Sequence, residues 1–242
     1  IIMTFSKTLS LFSAIALSFG LAACGDNGGS TNASGASNAA PAAASNAGGD
    51  SLARIKAAGV IRIGVFGDKP PFGYLDAEGK NQGFDVEIAK NMSQDLFGSP
   101  DKVEFVVTEA ANRVEYIKSG KVDVLLANFT QTPERAEVVD FAAPYMQVSL
   151  GVVSPKNAPI KNVDDLKGKT LLVNKGTTAD AYFTKNRPDI TLQKYDQNTE
   201  TFDALKDGRG AALAHDNALL WAWAKENPQF EVAIGKLGEP EN

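Results

Sequence analysis

The chain has 242 residues, with 24 basic and 29 acidic side chains and a formal charge of −5. It carries no basic cluster, which argues against nucleic-acid binding, because phosphate contacts need concentrated Lys and Arg. A single cysteine, Cys24, and a single histidine, His215, argue against a disulfide framework, a transition-metal centre and a cysteine nucleophile in the folded part. No cofactor is expected.

The N-terminal stretch has Lys7, an apolar run over residues 9–21, and small residues before Cys24. It reads as an export signal, since a spanning helix needs about 20 apolar residues. Leu21-Ala22-Ala23-Cys24 resembles the lipobox of bacterial lipoproteins, so the expected pattern is a signal peptide over 1–23 and a lipidated N-terminus at Cys24. Residues 25–50 are almost entirely Gly, Ser, Asn, Ala and Thr. Such a segment predicts a flexible tether reaching roughly 25 to 30 Å on average.

Beyond the tether, short β-branched runs alternate with helical patterns. Strand patterns at 60–65, 103–107 and 122–127 frame helical patterns at 84–96 and 112–118. A second series follows, with strands at 170–173, 191–195, 211–214 and 230–234 and helices at 178–184, 199–206 and 217–224. This alternation predicts two α/β units with mostly parallel sheets laid end to end. The segment 141–155 has no helical pattern and reads as a crossover between them. Ligands of open α/β sheets bind beyond the carboxyl ends of the strands, so the cleft between the units is the expected site.

Several ordered motifs make the chain resemble the extracellular solute-binding proteins of polar amino-acid ABC transporters: KPPFGY (69–74), GFDVEIA (83–89), SGKVDVLLANFTQTPER (119–135), FAAPY (141–145), DLKGKTLLVNKGTTAD (165–180) and Asp216. KPPFGY, EAANRVE, ANFTQTPERAE and NKGTTADAYF together are similar to the subgroup that binds cysteine or cystine. The resemblance implies a type II periplasmic-binding-protein fold with the ligand cleft between two lobes. It places lobe 1 at 51–144, a hinge crossover at 145–151, lobe 2 at 152–235 and the start of a return crossover at 236–242. Relatives finish with helices on the first lobe, so it also implies that the C-terminal part of lobe 1 is missing from this chain. The implied partners are an amino acid, an ABC permease and, through the lipid, the membrane of the cell envelope, with the protein acting as a monomer.

Carried onto these residues, the resemblance gives Arg135 the ligand's α-carboxylate, which a guanidinium fork matches bidentately. Thr130 adds a hydroxyl and an N–H, and Asn128 and Phe129 supply a carbonyl or a wall. Thr177 and Thr178 precede a helix, and Thr178 reads as its N-cap, with free N–H groups for an anion. Asp216 takes the α-ammonium, although an Asp before a helix also reads as a plain cap. Phe72 is the expected aromatic wall; Glu109, Arg113 and Tyr145 are candidates for the side-chain pocket or hinge. Relatives that bind lysine or histidine carry an acid and a tyrosine where Phe66 and Lys69 stand here. Two other readings remain: a dehydratase of prephenate-like acids, using Glu109, Lys69 or His215 as acid or base, and a surface antigen or adhesin.

Overall fold

The computed structural model describes residues 50–242; the expected signal segment, Cys24 and residues 25–49 of the tether lie outside them. Asp50 belongs to the fold. Its carboxylate accepts the N–H groups of Leu52 and Ala53 at 3.0 and 3.2 Å, capping helix α1 (Ser51–Ala58), which ends on Gly59 in the left-handed conformation.

Three parallel strands make the first sheet: β1 (Ile61–Val65), β5 (Val103–Val107) and β6 (Val124–Leu125), in the order β5-β1-β6. Between β1 and β5 the chain forms a small antiparallel meander that the sequence patterns do not foreshadow. It consists of β2 (Asp68–Lys69), β3 (Gly73–Leu75) and β4 (Asn81–Gln82), and helix α2 (Phe84–Phe97) follows. Helix α3 (Arg113–Lys118) leads into β6, and the one-turn α4 (Pro133–Ala136) follows it. Ile61, Ile63 and Val65 of β1 pack with Val86 and Ala89 of α2 and with Ile55 of α1.

The second sheet has five strands in the order β11-β7-β10-β8-β9: β7 (Val148–Pro155), β8 (Thr170–Asn174), β9 (Thr191–Tyr195), β10 (Ala212–Asp216) and β11 (Phe230–Glu241). β8 runs parallel to β9 and β10, whereas β7 is antiparallel to β10 and β11. Helices α5 (Thr178–Asn186), α6 (Asn198–Lys206) and α7 (Asn217–Glu226) connect them. Alternate side chains serve opposite faces: Leu171, Val173, Ala212 and Ala214 join Phe183 of α5, while Leu172 and Leu213 join Phe202 and Leu205 of α6 and Leu219 and Leu220 of α7. Burial on both faces explains why these strands read as continuous apolar runs.

The expected hinge at 145–151 overlaps β7, which enters the second sheet at Val148. The expected return segment at 236–242 continues β11 to Glu241, opposite Val148. Asn242 then touches the first lobe through its carbonyl, which accepts from Gln131 N–H at 2.7 Å.

The meander fastens the lobes together. Asp68 accepts the backbone N–H groups of Asn198 and Thr199 at 2.7 and 3.2 Å and the Asn198 side-chain amide at 3.0 Å. Gln197, the residue at the cap position of α6, supplies no such bond, so the first lobe caps a helix of the second, an arrangement worth about 1 kcal/mol. Phe72 inserts into the apolar cluster of Val153, Leu172 and Phe202.

The two sheets differ in cover. β7 and β10 are buried almost throughout, while β5 and β6 are only half-buried and Val107 is 46% exposed. Amide hydrogen exchange of the whole chain should therefore run faster in β5 and β6 than in β8 and β10, because a strand with little buried apolar surface opens locally at lower cost. Equal protection in both sheets would show that the half-covered sheet is no less stable.

Candidate functional site

The carboxyl ends of the parallel strands of both lobes converge on one polar cleft. After β1 come Phe66 and Lys69; after β5, Arg113; after β6, Asn128 and Thr130, with Arg135 in α4. From the second lobe come Thr177 and Thr178 after β8 and His215 and Asp216 at the end of β10. Lys69, Arg113, Asn128, Thr130, Arg135, Thr177, Thr178, His215 and Asp216 enclose a small space of about 180 Å³, counting its mouth. A larger, mainly apolar cavity adjoins it on the first-lobe side, sharing Asn128, Thr130 and Asp216 but none of the cations.

Asp216 carries the connection between lobes. It occupies the cap position of α7 but makes no capping bond; its carboxylate instead meets Lys69 Nζ at 3.4 Å, with both residues buried. Burial alone would raise its pKa, but Lys69, His215 and Arg113 more than offset that and hold the carboxyl below the usual range. Burial in turn pushes the Lys69 ammonium down from its ordinary value against the pull of Asp216. His215 accepts the Asp216 N–H at Nδ1 (2.7 Å), which places the ring proton on Nε2. Burial and nearby Lys69 keep the ring neutral by lowering its pKa, and Nε2 has no partner.

The two arginines meet at one point of the second lobe. Arg113, 2% exposed, donates to the carbonyls of Ala110 (3.0 Å), Ala127 (3.0 Å), Asn128 (2.8 Å) and Gly176 (3.0 Å). Arg135 donates to Thr130 (2.7 Å) and to the same Gly176 carbonyl (3.0 Å). Both guanidiniums lie over the Phe129 ring, at 4.7 and 4.6 Å from its centroid, and Phe129 in turn stacks on Phe141 at 5.4 Å. Burial and the neighbouring Arg135 lower Arg113 to about 9. Gly176 has φ +74°, and a Cβ there would come within 2.7 Å of Ala111 Cα, so only glycine lets this loop press against the first lobe.

Thr177, not Thr178, is the cap of α5: its extended backbone lets Oγ1 accept the Asp180 N–H at 3.2 Å. Thr178 is already helical, and its buried Oγ1 has no hydrogen-bond partner. Asn128 sits at φ 43°, which Asn tolerates, and its buried side-chain amide is unpartnered at both ends.

Three candidates lie apart from this cluster. Phe72 faces the second-lobe apolar core, and Phe66, beneath Lys69 at 4.9 Å and Arg113 at 5.7 Å, is the aromatic at the site instead. Glu109 accepts from Asn112 at 3.5 Å. Tyr145 is 44% exposed and donates to Asp85 at 3.0 Å, lining the adjoining cavity. The sequence signal that could have placed Lys69 in the site is its position beside two prolines just past a buried strand, where a lysine is held rather than free. Among the described residues no cluster of His, Cys, Asp and Glu suits a metal ion, and no helix is long and apolar enough to cross a membrane.

The pattern of the bacterial extracellular solute-binding proteins, family 3, matches residues 61–234. A glutamine-binding protein of Geobacillus stearothermophilus is 34% identical over 227 residues, covering 93% of this chain and 85% of the relative. The solved solute receptor for L-cysteine of Neisseria gonorrhoeae is 78% identical, with a TM-score of 0.77 over 78% of this chain and 77% of that one. A cysteine-binding protein of Campylobacter jejuni is 63% identical, with a TM-score of 0.78 over 79% of this chain and 77% of that one.

Asp85 gives a pH test of the packing behind the site. Burial pushes its carboxyl up to about 6, despite the Tyr145 hydroxyl and Lys69, which favour the charged form. The folded state thus holds this proton longer than the unfolded chain, whose Asp titrates near 3.9, so stability from this group falls as pH rises from about 4 to 6, by about 3 kcal/mol. Asp85→Asn should be more stable than the wild type by that order at pH 7 and no more stable at pH 4, read from urea unfolding. A difference independent of pH would refute the assignment.

Proposed function

The chain belongs to the bacterial extracellular solute-binding proteins, family 3, the amino-acid-binding components of ABC transporters, and from that premise we propose that it captures L-cysteine between its lobes and delivers it to a membrane permease. The observation that carries this reading is the cation cluster facing a single buried carboxylate across a small polar cleft. Arg135 spends two of its five N–H donors on carbonyls and keeps an edge for the ligand's α-carboxylate. Thr130, the helical N–H of Thr178 and the Asn128 amide complete that contact. Asp216 accepts the α-ammonium, sharing its charge with Lys69. Phe66 and Phe129 hold the cations and so shape the pocket, while Arg113 stiffens it.

The small space supports a short side chain, and the likeness to cysteine-binding structures supports cysteine over the disulfide-linked dimer, which is about twice as long. Binding without turnover fits the chemistry: Asp216 engages both Lys69 and His215, and Glu109 lies outside the polar lining. The protein would act as a monomer in the cell envelope, held by lipid on Cys24.

Arg135→Lys and Asp216→Asn should each weaken L-cysteine binding by about 2 to 5 kcal/mol, because each leaves a desolvated ligand charge poorly paired. Calorimetric titration of ligand-stripped protein measures this, and losses below about tenfold in both would place the site elsewhere. The same titration should rank L-cysteine well above L-cystine, L-glutamate, L-lysine and L-histidine. Cells fed labelled fatty acid should label the wild-type chain and not Cys24→Ser; label on both would remove the lipid reading.

A further inference from the structure

The charges at the site do not balance with an ordinary zwitterion. Lys69, Arg113 and Arg135 contribute three positive charges to the lining, and Asp216 is its one carboxylate; Asp85 near Lys69 and Glu241 near Arg135 lie outside the lining, and burial raises both carboxyls above their usual range. Every hydrogen bond of the Arg113 and Arg135 guanidiniums ends on a neutral carbonyl, at Ala110, Ala127, Asn128, Thr130 or Gly176. Lys69 has Asp216 alone as its hydrogen-bonded partner. A zwitterion brings one carboxylate and one ammonium, so it leaves the excess unchanged in a place where unpaired charge is expensive. The lining also holds buried polar groups with no partner, the His215 Nε2–H and the Asn128 amide, which can donate to an anion.

Resting on the cysteine reading above, we propose that the ligand's side chain is bound as the thiolate, with Lys69 and Arg113 as its counter-charge and the His215 Nε2–H as an available donor, while Arg135 and the Asn128 amide serve the α-carboxylate. On binding, the S–H bond breaks, the electron pair stays on sulfur and the proton leaves to solvent. No oxidant or reductant is involved. A thiol near pKa 8.5 is only about 3% thiolate at pH 7, so the site must favour the anion by more than about thirtyfold to hold it. Three cations around one carboxylate can supply that preference at close range, whereas a serine hydroxyl offers no anion to stabilise. The other titratable groups facing the cluster are Asp85 from α2 with Tyr145 beside it, and Glu241 at the end of β11, near Arg135 and Asp216. These belong to the protein and respond alike to cysteine and to its uncharged analogues, so comparison between ligands isolates the sulfur.

The test is an ultraviolet difference spectrum of the full chain at pH 6.5 to 7 with reduced L-cysteine, recorded against ligand-free protein so that Cys24 cancels. Titrations with S-methyl-L-cysteine and L-serine run in parallel. We expect a thiolate band with L-cysteine alone. Its apparent affinity should rise about tenfold per pH unit below the thiol pKa, while that of the two analogues does not. Lys69→Met should move the bound thiol's titration upward, and Lys69→Arg should restore it, a readout that misfolding alone would not reproduce. Binding of L-cysteine with no thiolate band and with the pH profile of L-serine would overturn this inference and leave the cysteine reading standing. No binding of L-cysteine at all would overturn both.

Discussion

Lys69 and Asp216, 3.4 Å apart and both buried, bridge the two lobes at the centre of a cleft that holds more positive than negative charge. Much of the nearby structure can be understood as managing that excess. The arginines spend their donors on carbonyls, Phe129 offers one face to both guanidiniums, and Phe66 lies under Lys69. A cation over an aromatic ring gains about 0.5 to 2 kcal/mol, and charged hydrogen bonds to carbonyls add more. Neither replaces a counter-ion. On the proposed reading, a ligand group that supplies negative charge relieves this deficit.

The lobes contribute unequally. The second lobe is covered on both faces of its sheet and supplies rigid elements: a helix N-terminus at Thr178, a strand end at Asp216 and the Gly176 carbonyl that both arginines share. The first lobe supplies all three cations, Lys69 from the short strand β2, Arg113 from α3 and Arg135 from α4. Asp68 capping α6 and Phe72 in the second-lobe core tie the segment carrying Lys69 to the opposite lobe. The position of Lys69 is thus set by both lobes, which explains how a buried ammonium is kept beside Asp216. Gly176 has a matching role, since the close approach of its loop to Ala111 brings the two halves near enough for one carbonyl to serve both guanidiniums.

Much of this was legible in the sequence. Period-two and period-3.6 patterns, with glycines and helix starts between them, located most of the longer strands and helices to within a few residues, because each buries one face or both and its apolar spacing records that burial, but they missed α1, α4 and the β2-β3-β4 meander. Lone functional residues were legible only where the ordered motifs carried them. Arg135, Thr130 and Asp216 fall in the cleft, whereas Phe72, in the same motif as Lys69, turns to the second-lobe core. Nothing in KPPFGY says which of the two side chains faces the cleft, since a two-residue strand followed by prolines reverses direction within a few positions. Likewise Thr177 and Thr178 are adjacent and chemically alike, and only the backbone decides which one caps the helix and which is left with an unpartnered hydroxyl.

By itself, then, the sequence determined the α/β alternation, the two-unit plan and the chemical inventory of the cleft, because these depend on periodicity and residue type along the chain. Only the tertiary structure decided the charge balance. The residues concerned lie far apart in sequence, with Lys69 and Asp216 separated by 147 positions, and whether a cation is neutralised depends on distance and burial across lobes, which no local pattern encodes.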